Sequence, residues 1–506
     1  MCPTKQLKTQ KNEDWKSRKT LKEIIKRMKD VITVEPLVAC YQMALFLSKP
    51  ALDNLEFEKS CRVNLGFNDT VCDNILSGNH ENYVLENDQV QTVISTMHSW
   101  QQPVQSFTPL VLVLFLGSFS DRHKLRKPFL LMPIVGELFG VTGCMLCAIF
   151  MHQLPLEFQG IMQKVIPSLF GGQTMLAMAS TAYIADVSSV EMRTLRLGIV
   201  QIVLSVALPL VQSFSGIFYV NTGYVTVLSV TLMLNVIALS YGLFWIREPQ
   251  KNKCQKWDKC ILVDIFDPKH AKDTFNLVLK KDENDRLLIW LMVLSGFIYK
   301  AAFDGESSIL YLYTQNVFEW TPLEYSYFIT VNSLVALAGH LLAVPLFTKI
   351  LHFSDLIILL ISIIDKIITN VIFGLARNIT VFYAGVAISI VTRVYRTAKK
   401  SLATKIVTRN DVGKAQSLLG ICDVLAPAFF VPIYNKIIYI NTLQTSPGLF
   451  FFFSIILYSI CCFLIILMYI RVKKKSKNIQ KKAETGVNIS DRTKNDNNNI
   501  IETIHL

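Results

Sequence analysis

The sequence predicts an all-α membrane protein in which twelve transmembrane helices form two six-helix bundles. Two observations predict this class. First, 51% of the 506 residues are hydrophobic and only 18% are charged, whereas soluble domains carry about 25% charged residues. Second, apolar runs of about 20 residues recur along the chain, and a helix of that length crosses a bilayer core. This composition excludes a soluble enzyme, a fibrous protein and a disordered protein.

The candidate spans follow one another along the chain. They lie near 31–52, 93–119, 129–151, 160–186, 197–220, 223–246, 287–315, 322–347, 355–376, 380–400, 415–438 and 447–470. Residues 247–286 form the only long internal hydrophilic stretch, with six spans before it and six after it. We therefore predict an N-terminal bundle over 31–246, a linker over 247–286 and a C-terminal bundle over 287–470, with a cavity between the bundles.

Charge at the two ends predicts the orientation. Residues 1–30 carry ten Lys or Arg against four Asp or Glu, and residues 471–506 carry nine against four. Residues 51–92 reverse the balance, with two basic and eight acidic residues. Basic tails beside apolar spans indicate the cytosolic face. The net charge of +13 therefore reflects membrane topology beside lipid head groups, and no nucleic-acid partner is predicted.

The acidic stretch after the first span has the features of a non-cytosolic loop. Cys61 and Cys72 flank the glycosylation acceptor Asn68-Asp69-Thr70. Cysteines beside such an acceptor suggest an oxidising compartment, so we predict a Cys61–Cys72 disulfide and a glycan on Asn68. A loop of this kind suits either the cell surface or an endolysosomal lumen.

A cationic face is predicted on span 10. Arg393, Arg396 and Lys400 follow i, i+3, i+7 spacing, which places them on one side of a helix. A charge within a span costs at least about 2–3 kcal/mol, so the face requires an explanation. One is an aqueous cavity that binds an anionic solute. The other is a rim of positive charge at the cytosolic edge.

Span 7 carries a second charged set. Lys300 and Asp304 are four residues apart and can neutralise each other, whereas Glu306 has no local partner. Gly305, beside these acids, is expected to break or bend the helix. The set is interpreted either as a solute-facing segment or as a structural ion pair between helices.

Two further ionisable residues lie within predicted spans. Asp423 on span 11 can pair with Arg393, and His340 is the only histidine in the middle of a span. His340 suits either a proton relay or a structural hydrogen bond. The sequence contains no paired metal-ligand spacing and no nucleotide-binding, hydrolase or zinc-protease motif. We therefore predict no metal, no cofactor and no enzymatic activity.

The loop after span 2 resembles the cytoplasmic signature of the major facilitator superfamily. In GSFSDRHKLRKP, the matching residues are Gly117, Asp121, Arg122, Arg126 and Lys127. The loop departs from the signature because it lacks the central glycine and is one residue longer. The resemblance implies that Asp121, Arg122 and Arg126 take part in gating, by locking the two bundles together on the cytosolic side.

The chain also resembles the proton-coupled folate transporter and its solute-carrier relatives, which include the thymic stromal cotransporter. The similarity covers nearly all of 31–470. It is most specific in FGGQTMLAMASTAYIADVSSVEMRTLR on span 4, and TVEP at the start of span 1 supports it. The resemblance implies gating roles for Asp186, Arg193 and Arg196.

Two positions test how far the resemblance extends. Lys400 stands where the folate member has an arginine important for transport, so the charge is kept but the bidentate geometry is lost. Gln201 stands where that member has a glutamate tied to proton coupling. A glutamine side chain does not titrate, so coupling through this position is not expected.

Together, these observations predict a secondary-active transporter of an organic anion that works by alternating access. The relatives imply a folate-like, muropeptide or cyclic dinucleotide substrate. Symport with protons stays open because of Gln201. The alternative is a non-transporting membrane receptor or scaffold on the same fold.

Overall fold

The helices of the computed structural model lie largely where the apolar runs predict them. The structure describes residues 33–79, 82–123, 125–187, 190–248, 286–343, 346–406 and 412–484. Over these residues the α-helices are α1 (Glu35–Lys59), α2 (Asp69–Leu76), α3 (Val84–His123), α4 (Lys127–Ile149), α5 (Leu156–Gly160), α6 (Ile166–Leu169), α7 (Gly172–Val187), α8 (Val190–Phe244), α9 (Arg286–Phe318), α10 (Pro322–Ala338), α11 (Asp355–Leu375), α12 (Ile379–Ile388), α13 (Tyr395–Ile406), α14 (Val412–Pro432), α15 (Ile440–Thr442) and α16 (Leu449–Glu484). All regular secondary structure in these ranges is helical, which confirms the all-α prediction.

Several helices are long and apolar enough to cross a membrane. Seven described helices meet this condition, and the bent pair Ile379–Ile388 and Thr392–Ala403 makes an eighth. The first predicted span forms α1, but this helix carries several charged side chains, which lower its mean hydropathy. The number of twelve spans and their division into two bundles stay predictions.

Gly223 interrupts α8 between the fifth and sixth predicted spans. Its φ of 76° and ψ of 178° are not helical, and this left-handed region favours glycine. The interruption falls where the sequence places the boundary between 197–220 and 223–246. The two parts of α8 therefore correspond to two predicted spans.

The prediction of a break at Gly305 is wrong. Helix α9 continues through this residue. A Cβ atom added at Gly305 would lie 2.4 Å from Cδ2 of Tyr434, so the glycine permits close packing against the segment after α14. Packing against this segment overrides the low helix propensity of glycine, so the helix continues through Gly305.

The broken helix is instead the tenth predicted span. Helix α12 ends at Ile388, a 3₁₀ turn covers Thr392–Val394, and α13 begins at Tyr395 with a bend of 48°. Asp365 on α11 accepts hydrogen bonds from the backbone N–H and the hydroxyl of Thr392, both at 2.7 Å. This carboxylate satisfies donors that the interruption frees.

The halves of the chain, 33–248 and 286–484, pack against each other along two lines. Helix α3 contacts α14, and α8 contacts α10. At the second line, a Cβ added to Gly216 would lie 2.5 Å from the Ser326 hydroxyl and 3.2 Å from the Leu323 backbone. A glycine is needed here because the two helices approach so closely.

The loop between α1 and α3 is held at one end of the molecule. Cys61 and Cys72 form the predicted disulfide, with Cα atoms 5.8 Å apart. Asn68 precedes α2 and is exposed, as a glycosylation acceptor requires. We call this the disulfide end; the opposite end carries Arg126, between α3 and α4.

Candidate functional site

A central cavity of about 430 Å³ lies between the two halves. The N-terminal half contributes side chains from α1, α3, α4, α7 and the segment 161–168, and the C-terminal half contributes side chains from α9 and α14. Its charged and amide lining residues are Gln42, Lys49, Asp53, Gln102, Gln105, Glu137, Gln163, Lys164, Gln173, Asp304 and Asp423. A cavity of about 260 Å³ continues from it toward the disulfide end, and the two share Lys49, Asp53, Lys164 and Asp304.

Charged residues of the N-terminal half dominate this lining, and the sequence analysis did not identify Lys164 or those on α1. Lys49, Asp53 and Glu56 follow i, i+4, i+7 spacing on α1, so they lie on one helical face. Lys164 faces them from the π-helical turn Ile161–Val165. The predicted span ended near residue 52 because these charges lower the hydropathy, yet the helix continues to Lys59. The i, i+4, i+7 spacing was the signal that could have identified the face.

A histidine and a glutamate are paired in the 260 Å³ cavity. Nε2 of His98 on α3 lies 2.9 Å from Oε2 of Glu56 on α1. Glu56 is only 3% exposed. His98 lies near the start of the predicted span 93–119, and the sequence analysis did not select it. The side chain of His340 lies outside the described part of the structure.

One buried amide donor in the same cavity has no hydrogen-bond partner. Gln101 lies three residues after His98 on α3 and is 2% exposed, and its Nε2 is unsatisfied. A Cβ at Gly160 would lie 2.1 Å from this nitrogen, so the glycine leaves room for the amide. An unsatisfied buried donor costs about 1–3 kcal/mol, which a bound acceptor group would recover.

The charges of α9 and α14 form ion pairs. Lys300 and Asp304 lie 2.8 Å apart, which confirms their predicted pairing. Asp423 pairs with Lys399 at 3.0 Å, so the predicted Asp423–Arg393 pair is wrong. The bend before α13 turns Lys399 toward α14. Asp304 and Asp423 both reach the central cavity.

Glu306 has no partner nearby in the sequence, but it has two on another helix. Its carboxylate accepts hydrogen bonds from Lys366 Nζ at 2.7 Å and from Asn370 Nδ2 at 2.5 Å, both on α11. Glu306 and Lys366 are 5% and 7% exposed. The interpretation as a structural ion pair between helices therefore describes this residue.

The two described arginines of the predicted cationic face occupy different places. Arg393 donates to Oδ1 of Asn332 at 2.6 Å, while its Nε has no partner. It lines a cavity of about 70 Å³ that meets the 260 Å³ cavity at Ser307. Arg396 is exposed and lies over the Phe303 ring at 4.8 Å. The 3₁₀ turn at Arg393 separates the two, and the Lys400 side chain lies outside the described residues.

The Arg126 end shows part of the predicted gating set. Arg126 Nε lies 2.7 Å from Asp186 Oδ2 on α7. Glu248, after α8, accepts from the backbone N–H groups of Arg126 and Lys127, as expected for an acid at the start of α4. These contacts join three segments of the N-terminal half. A gating role for Arg126 and Asp186 stays a prediction.

The side chains of Asp121, Arg122, Arg193, Arg196 and Gln201 lie outside the described part of the structure.

At the disulfide end, polar and aromatic contacts join the two halves. Gln91 Nε2 on α3 donates to Gln315 Oε1 on α9 at 2.6 Å, and Tyr439 donates to Gln91 Oε1 at 2.7 Å. Phe57 packs edge-on against Tyr311, with ring centroids 5.6 Å apart. These contacts lie beyond the Glu56 side of the cavity and close it there. Sequence reasoning did not find them, because each joins residues far apart in the chain.

The cavity therefore offers amide groups, both signs of charge and a histidine to a polar solute. Among the described residues, no group of three or more His, Cys, Asp or Glu is arranged to hold a metal ion.

Comparisons with known proteins agree on one class. Residues 91–390 match the Major Facilitator Superfamily. The chain is 25% identical over 456 residues to the probable peptidoglycan muropeptide transporter of Drosophila melanogaster, covering 88% of this chain and 86% of that protein. It is 23% identical to the lysosomal proton-coupled steroid conjugate and bile acid symporter of Gallus gallus, covering 84% and 91%. It is 24% identical to the proton-coupled folate transporter of Rattus norvegicus, covering 82% and 87%.

A solved structure shares the fold. The crystal structure of the human organic anion transporter MFSD10 matches with a TM-score of 0.57 and 14% identity, covering 86% of this chain and 99% of that one.

Proposed function

Because the chain belongs to the Major Facilitator Superfamily, we propose that it is a secondary-active transporter that carries a polar organic anion through its central cavity by alternating access. The observation that carries this proposal is the cavity itself, which is lined from both halves and closed at the disulfide end. In this proposal twelve helices form two six-helix bundles that rock about the cavity. Both termini are cytosolic, and Asn68 lies on the cell-surface or endolysosomal lumen side.

The lining favours a substrate with many hydrogen-bonding groups. Glutamine side chains approach the cavity from α1, α3, α7 and the segment 161–168. Amides both donate and accept, so together they suit a solute that carries amides and hydroxyls. A muropeptide has this chemistry along its sugar and peptide. A steroid conjugate presents a large apolar body, which would leave these amides without hydrogen-bond partners.

Two groups of cationic side chains are available to bind the anionic group of the substrate. Lys49 and Lys164 face the cavity from α1 and the π-helical turn. Arg393 lines the adjoining 70 Å³ cavity with an unpartnered Nε. A carboxylate that reaches Arg393 would satisfy this donor by a charge-assisted hydrogen bond. A substrate of this kind would therefore bridge the two halves.

Transport by the full chain in proteoliposomes tests the proposal. We would measure uptake of three labelled probes: muramyl dipeptide, a reduced folate and a steroid sulfate. Saturable uptake is expected to be greatest for muramyl dipeptide and to fall strongly in Lys164→Gln. Lys436→Gln is the matched control, because Lys436 is exposed and lies outside the cavity lining.

The three probes separate the outcomes. Preference for the reduced folate or the steroid sulfate would overturn the substrate class and keep the transport function. No uptake of any probe by folded protein would favour a receptor or scaffold.

A further inference from the structure

A carboxylate–histidine pair, with Glu56 buried and His98 half-buried, lines the cavity near the disulfide end. His98 and Glu56 are 2.9 Å apart and both line the 260 Å³ cavity. Imidazole is the side chain that ordinarily changes charge between about pH 5 and pH 8. The pair thus combines a titratable base, a buried carboxylate and access to the cavity.

Other ionisable groups surround the pair on each packed element. Lys49 and Asp53 share its face of α1, Lys164 lies on the π-helical turn, and Cys144 lies on α4. The C-terminal half contributes Asp304 and Tyr311 from α9 and Tyr325 from α10. An anionic solute that enters this space meets several carboxyl groups. Each proton bound to them lowers the repulsion.

The pair also adjoins the contact that closes the cavity. Phe57, the residue after Glu56, packs against Tyr311 across the two halves, and Tyr311 packs against Tyr325 at 4.8 Å. Glu56 is therefore bonded directly to a residue that contacts the other half at the closed end. The Glu56–His98 pair therefore lies next to the Phe57–Tyr311 contact that closes the cavity.

We infer that Glu56 and His98 form the proton-carrying site of this transporter. The inference rests on the proposed function. One proton enters from the disulfide end, is held between the Glu56 carboxylate and the His98 imidazole, and leaves on the opposite side after the halves rock. No covalent bond other than the bond to that proton forms or breaks.

Two readouts on the full chain in proteoliposomes test this assignment with labelled muramyl dipeptide. The first is exchange of internal for external probe at equal pH, which needs binding and rocking only. The second is uptake driven by an inward proton gradient. His98→Gln and Glu56→Gln are expected to keep exchange and lose the stimulation by the gradient. His152→Gln and Glu157→Gln, which alter exposed residues outside the cavity, are expected to keep both.

The contrary outcomes are separable. Variants that keep the gradient stimulation would overturn the assignment, and so would folded variants that lose exchange as well. Exchange without gradient stimulation in the unaltered protein would overturn it and leave the proposed function intact. Absence of both in the unaltered protein would overturn the proposed function and this inference with it.

Discussion

The buried pair of Lys366 and Glu306 allows a stability prediction that separates a structural acid from a proton-carrying one. Their N–O distance is 2.7 Å, and Asn370 completes the set. Lys366→Met leaves the Glu306 carboxylate buried with Asn370 as its remaining partner. Removing one member of a buried ion pair costs about 3–5 kcal/mol.

The expected shift in melting temperature follows from chain length. An unfolding entropy of about 2.1 cal/mol/K per residue means that 1 kcal/mol shifts Tm by roughly 1 °C in a chain of this size. Lys366→Met should therefore lower Tm by roughly 3–5 °C. Adding Glu306→Gln removes the isolated charge and should recover most of the loss.

Thermal unfolding in detergent, followed by intrinsic fluorescence, measures these shifts. Lys300→Met is the matched control, because Lys300 and Asp304 are 25% and 21% exposed at the side chain. A partly exposed pair contributes about 0–1 kcal/mol, so this variant should shift Tm by no more than about 1 °C. The reasoning would be refuted if Lys366→Met had the same Tm as the unaltered chain. It would also be refuted if the double variant did not regain the lost Tm. The double variant should also keep uptake driven by a proton gradient.

Three further outcomes are expected. Gly160→Ala should displace the Gln101 amide, because its Cβ would lie 2.1 Å from Nε2. Loss of one hydrogen bond between this amide and the substrate, about 1 kcal/mol, should raise the apparent KM for muramyl dipeptide roughly fivefold in a protein that is expressed normally. An unchanged KM would show that this amide does not bind substrate. Gln91→Cys with Gln315→Cys, joined by a short bifunctional thiol reagent, should stop uptake reversibly; continued uptake by the joined protein would show that the disulfide end need not open. Asn68→Gln should abolish the mass shift on glycosidase treatment, and a persisting shift would place the glycan elsewhere.

Local patterns in the sequence predicted contacts close along the chain. Lys300 and Asp304 pair because four residues make slightly more than one helical turn. The Cys61–Cys72 disulfide closes a short loop whose composition indicates an oxidising compartment.

Pairs between helices escaped prediction, because they depend on how each helix is rotated in the packed structure. Lys399, rather than Arg393, reaches Asp423, since the helix is interrupted by the 3₁₀ turn at Thr392–Val394. Glu306 pairs with Lys366, which lies 60 residues later in the chain on another helix.

The charged face of α1 was missed for a different reason. A prediction from hydropathy ends a span where charged residues begin. Here the helix continues, and its charged residues Lys49, Asp53 and Glu56 face a cavity. Apolar runs identify lipid-facing helices well and cavity-lining helices poorly.

Substrate protection of a cavity cysteine tests the central claim most directly. Gln102 lines both larger cavities. In Gln102→Cys, a membrane-impermeant thiol reagent should block muramyl dipeptide uptake, and excess unlabelled muramyl dipeptide should slow the reaction. Val84→Cys, at an exposed position outside the cavity lining, should react at the same rate with and without the probe. Modification of Gln102→Cys that leaves uptake intact, or that the probe does not slow, would contradict a substrate path through this cavity.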